Sequence, residues 1–69
     1  MKSISGKKFA KILEKNGWQL LRVQGSHHIY CKPGQTTRIS VPIHGKKDLK
    51  VGLLRYLMKQ ASLSEEDLK

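Results

Sequence analysis

The chain predicts a single small α+β domain over residues 1–69, in the order α-β-β-β-α, with a three-stranded antiparallel sheet packed on two helices. Three observations predict it. Apolar residues recur at helical spacing near both ends of the chain, and branched and aromatic residues dominate its middle. Two tight-turn signals, Gly25-Ser26 and Pro33-Gly34, then cut that middle into three short runs. Runs joined by such short turns can only be antiparallel neighbours. A domain of this length buries only about 60% of its unfolded surface, so its core is thin and any site is a sheet surface or shallow groove.

Each element has its own signal. Ser5 is a good N-cap for a first helix in which Phe9, Ile12 and Leu13 form one apolar face. Asn16-Gly17 stops that helix, with Gly17 free to take the left-handed conformation. Trp18 to Gln24 reads as a first strand whose facing is ambiguous, because Leu20 and Leu21 are adjacent and alternation sends them to opposite faces. A two-residue loop after it pairs Val23 with His28, whereas a loop one residue longer flips that register. In the second strand, His28 to Lys32, alternation separates Ile29 and Cys31 from His28, Tyr30 and Lys32; the apolar pair is expected inward and the polar set outward. Pro33-Gly34 suits a type II turn. Thr37 to Val41 follows as a third strand, with Ile39 and Val41 inward and Arg38 and Ser40 outward. The second helix is expected to be capped by Asp48 and to bury Leu53, Leu54, Leu57, Met58 and Ala61. Ser64-x-x-Asp67 suggests a capping box for a final short turn.

Charge narrows the function. Fourteen Lys and Arg against five Asp and Glu give a formal +9, and three of the acids, Glu65, Glu66 and Asp67, sit in the last five residues. Such an excess attracts polyanions, because each phosphate neutralised releases condensed counterions. An acidic protein or an anionic membrane would meet the same charge, but nucleic acid comes first. Lys7, Lys11 and Lys15 form a ridge on the first helix with Lys8 alongside, and no acid stands four residues on to offset their repulsion. The single Cys31 excludes an internal disulfide and suits a reducing cytoplasm. No apolar run approaches a membrane span, and no apolar stretch follows the N-terminal lysines. A soluble intracellular protein is expected.

Metal chemistry fits poorly. His27 and His28 are consecutive, so a strand points them to opposite faces, and neither an HxH nor an HxxxH pair exists. A Ser-His-acid triad fares worse, since Glu14 and Asp48 are the only acids outside the tail. RNA cleavage without a metal or other cofactor asks for less, because the substrate's own 2′-hydroxyl is the nucleophile. A histidine with an ordinary pKa near ~6.5 can move the protons, and lysines or arginines can hold the phosphorane charge. His28 opens a strand beside a Gly turn and fits that role, although composition and spacing alone favour an ordinary surface histidine over a catalytic one.

Gly25-Ser26-His27-His28, preceded by Arg22 and followed by Ile29-Tyr30, resembles the Gly-Ser-x-His signature of the HicA family of toxin ribonucleases. Lys8 to Leu13 with Gly17-Trp18 looks like that family's first helix and the start of its sheet. Pro42-Ile43-His44 followed by Lys50-Val51-Gly52-Leu53-Leu54-Arg55 looks like its link into the second helix. The resemblance runs over nearly the whole chain. It implies a double-stranded-RNA-binding-domain-like fold and a metal-free endoribonuclease that cuts messenger RNA and arrests growth. It also implies a partner, a HicB-type antitoxin that covers the active site, with the free toxin a monomer. The catalytic residue implied is His28, leaving His27 dispensable for chemistry and Gly25 and Ser26 to shape the turn. Arg22, Tyr30, Lys32, Arg38, Lys46 and Lys47 complete the expected RNA contacts. The sequence does not single out a second proton-transfer group: His44, Tyr30, a lysine and water are all open to that role. Two other classes fit the same charge: a non-catalytic RNA- or DNA-binding module of this fold, and a protein whose basic face serves only an acidic partner.

Overall fold

A computed structural model describes residues 3–68. The elements are α1 (Gly6–Lys15), β1 (Gln19–Gln24), β2 (His27–Cys31), β3 (Ile39–Pro42) and α2 (Val51–Ala61), followed by a 3-10 turn over Glu65–Leu68. The sheet is antiparallel with order β1-β2-β3, so the expected architecture holds.

Local chemistry sets the ends of the elements. Ser5 caps α1, its side-chain oxygen accepting from the Lys8 N–H at 3.1 Å. The helix stops at a Schellman motif, with the Gly17 N–H bonded to the Glu14 carbonyl and the Trp18 N–H to that of Leu13. α2 ends in the same way, but Ser62 takes the left-handed position at φ 58°. Pro33-Gly34 turns as expected, with Gly34 at φ 81° and the Gln35 N–H bonded to the Lys32 carbonyl. Asp67 closes the final turn by accepting from both the Ser64 N–H and its hydroxyl.

The core lies between the helices and one face of the sheet. Phe9, Leu13, Trp18, Tyr30, Ile39, Val41, Leu54 and Leu57 are almost wholly buried there. Two backbone devices lock the layers. An isolated bridge joins Ser5 to Asp48, tying the start of α1 to the approach of α2. Gly6 packs so tightly on the Pro42 carbonyl that a Cβ would collide with it, fixing α1 against the end of β3.

The structure corrects three expectations. In β2 it is Tyr30, 2% exposed, that enters the core, while Ile29 and Cys31 lie on the opposite face. The reason is register: Tyr30 pairs with Ile39 and His28 with Val41, and both partners are fully buried. A tyrosine ring fills depth that Cys31 cannot reach. α2 begins at Val51 rather than after Asp48, with Lys50 in the capping position and no side-chain cap. Asp48 is held extended by its bridge to Ser5, and Leu49 next to it is buried. Leu53 is 36% exposed, so the buried face of α2 is Leu54, Leu57, Met58 and Ala61. The ambiguity in β1 is resolved by a bulge: Leu20 pairs with Tyr30 and Arg22 with Ile29, leaving Leu21 as the extra residue.

Candidate functional site

The β1–β2 hairpin has a two-residue loop, so Val23 pairs with His28 and Gln24 with His27. Gly25 takes the first central position at φ 58°, where a hairpin turn of type II′ needs positive φ. The Ile43 N–H donates to the Ser26 carbonyl at 2.8 Å, pinning the loop to the chain that leaves β3. Gly25 and Ser26 thus shape and anchor the turn.

The two histidines diverge, as alternation requires. His28 lies on the helix-facing side between Val23 and Val41 and is partly buried. His27 lies on the open face and is exposed, with Nδ1 3.1 Å from Ser40 Oγ. Arg22 occupies the same open face, opposite Ile29. If His27 Nδ1–H donates to Ser40, Nε2 is left as a free acceptor pointing away from that partner. This is the tautomer a general base needs.

The other sequence-predicted residues scatter. Tyr30 is in the core, and its hydroxyl pKa is raised, first by burial and then by the charge of Glu14. Its ring is closed to RNA stacking. Lys32 lies four residues beyond His28, roughly 13 Å along an extended chain. Its ammonium sits 5.8 Å from the centre of the Trp18 ring, so its stem covers the core. Arg38 is exposed and donates to the Thr36 carbonyl at 3.4 Å, immediately before β3. Lys46 and Lys47 are exposed in the loop after His44, which is itself exposed.

Two features are not legible in the sequence. Ser40 is thirteen residues from His27, and only the β2–β3 register brings them together. Lys7, Lys8 and Lys11 are legible as a ridge, but not as the lining of a groove of about 280 Å³ that they share with Lys46 from the loop after β3. Among the described residues, no helix is long and apolar enough to cross a membrane.

Comparison with known proteins gives the kinship. The family model described as the HicA toxin of bacterial toxin–antitoxin systems matches residues 6–63. Among solved structures, a chain of a HicA3 and HicB3 toxin–antitoxin complex superposes with a TM-score of 0.71 at 37% identity, covering 84% of this chain and 92% of that one. No curated protein matches significantly. The family match spans the first helix, the whole sheet and the second helix, and the solved relative shares that arrangement along most of both chains; the chain belongs to the HicA toxin family.

Proposed function

We propose that this chain is the toxin of a toxin–antitoxin pair, a cytoplasmic endoribonuclease that cuts messenger RNA and is neutralised by a HicB-type antitoxin. The observation that carries the catalytic reading is His27 on the open sheet face, oriented by Ser40 and flanked by Arg22. Nε2 takes the proton of a ribose 2′-hydroxyl, and O2′ attacks the adjacent phosphorus. The bond from phosphorus to the 5′-oxygen breaks, leaving a 2′,3′-cyclic phosphate, and a proton is returned to the departing 5′-oxygen. Arg22 faces the charge that grows on the phosphorane oxygens. His28, the residue implied by the family signature, is the rival for the proton transfer; it is partly buried between two valines, where a phosphodiester has less access.

Paired substitutions decide between them. His27→Ala should abolish both growth arrest on expression and cleavage of a long RNA by purified protein in EDTA, while His28→Ala retains both. The reverse outcome moves the role to His28. Cleavage surviving both changes in folded protein removes the two hairpin histidines from the mechanism, and binding without any cleavage by the unsubstituted chain makes it a binding module. Ser40→Ala should slow cleavage less than His27→Ala, since it loosens the ring without removing it. The HicB-type partner is supported by the complex in which the solved relative was found. A partner seated on the open face would shield His27.

A further inference from the structure

We propose that the groove between the start of α1 and the loop after β3 is a phosphate-binding track that leads an RNA strand to the histidine end of the sheet. The inference rests on the ribonuclease reading above. Its lining is Ser5, Lys7, Lys8, Lys11 and Lys46, four cations with no carboxylate among them. Lys7 and Lys11 stand one helical turn apart and Lys8 beside them, at Cβ spacings of about 5–6 Å, so in the empty groove they repel one another. Lys46 adds a fourth charge from a different element. Folding gains nothing from assembling that repulsion, and an anion relieves it.

The position of the groove gives it direction. Gly6 is pressed on the Pro42 carbonyl, Pro42 pairs with His27, and the Ile43 N–H holds the Ser26 carbonyl. The lysine groove and the histidine hairpin therefore lie at the same end of the sheet, joined by rigid backbone. The groove lies on the helix side and His27 on the open face, so a strand with phosphates in the groove reaches the histidine by passing round this end of the sheet. A protein partner is the weaker occupant, because no apolar side chain lines the groove and interface cores are depleted in charge. Lysines without an apolar anchor match a backbone read by charge, independent of base sequence.

The test uses the full chain carrying His27→Ala and His28→Ala, so that RNA survives, and a fluorescent single-stranded RNA titrated at several KCl concentrations. Adding Lys8→Ala and Lys11→Ala should weaken binding about tenfold at low salt. The same pair should flatten the log–log salt dependence by about 0.7 for each phosphate that is no longer neutralised. Lys8→Arg with Lys11→Arg should restore both, and Arg55→Ala with Lys59→Ala on α2 should change neither. Circular dichroism checks that each variant is folded. Wild-type affinity and slope in the Lys8/Lys11 variant overturn the proposal, as does an equal loss in the α2 control. Normal RNA binding with failure to bind a HicB-type antitoxin would make the groove a protein-docking surface and also overturn it. If the unsubstituted chain cleaves RNA while the groove variant binds normally, only the track falls; if it neither binds nor cleaves, the ribonuclease reading falls with it.

Discussion

β1 and β3 flank the same central strand, yet the protein treats them as different materials. In β3, Ile39 and Val41 are fully buried, with Ser40 between them and Pro42 after them turned to the open face. In β1, Leu20, Leu21 and Val23 are 46%, 46% and 51% exposed, and no residue of the strand is buried. Both strands carry large apolar residues, Leu20, Leu21 and Val23 in one and Ile39 and Val41 in the other, so apolar content alone does not separate them. The difference is what lies over them: the core formed by α1 and α2 closes on β3 and on Tyr30 of β2 and leaves β1 overhanging. Alternation reports burial only where a second layer covers the strand.

That contrast can be tested at decreasing strength. Ile39→Ala removes a fully buried side chain and should cost about 2–5 kcal/mol, read from urea unfolding. Val23→Thr on β1 should stay within about 0.5 kcal/mol; equal losses would show that β1 carries core energy. Gly6→Ala should destabilise by about 1–3 kcal/mol, because the obstructing atom is a backbone carbonyl of β3 rather than a flexible side chain. Unchanged stability there would mean that α1 is free to step back from β3. The smallest effect is on pH. The hydroxyl pKa of Tyr30 is raised on folding, so its contribution to stability is complete below its unfolded value near ~10 and is lost as pH rises through the higher folded value. Urea midpoints of the parent should therefore fall more between about pH 9 and 11 than those of Tyr30→Phe. Equal falls would mean that folding leaves the hydroxyl unchanged.

The features legible in the sequence were those decided within a few residues. The Ser5 cap, the Gly17 stop, the Pro33-Gly34 turn and the Ser64–Asp67 closure all depend on neighbours in the chain. The Gly25-Ser26 turn and its register were also readable as one of two alternatives, because loop length fixes strand pairing. The facing of β2 was not, since both of its alternating sets contain residues that can be buried. It was settled by Ile39 opposite Tyr30, a partner nine residues away. Asp48 failed as a cap for a similar reason: its backbone was claimed by Ser5, over forty residues earlier. The consequence reached the site, because the same facing that buries Tyr30 places His27 beside Ser40 and His28 beside Val41.

The bulge in β1 has a meaning for chain length. Remove Leu21, and Leu20, Arg22 and Val23 already stand opposite Tyr30, Ile29 and His28 in unbroken alternation. The strand is thus a regular one carrying a single inserted residue, and a version shorter by one would keep the core and the histidine register unchanged. What it would lose is the local kink. A straight, half-exposed apolar edge is a better template for another strand than a bulged one. Leu21 gives up one place in the ladder and leaves the edge a poorer seed for aggregation.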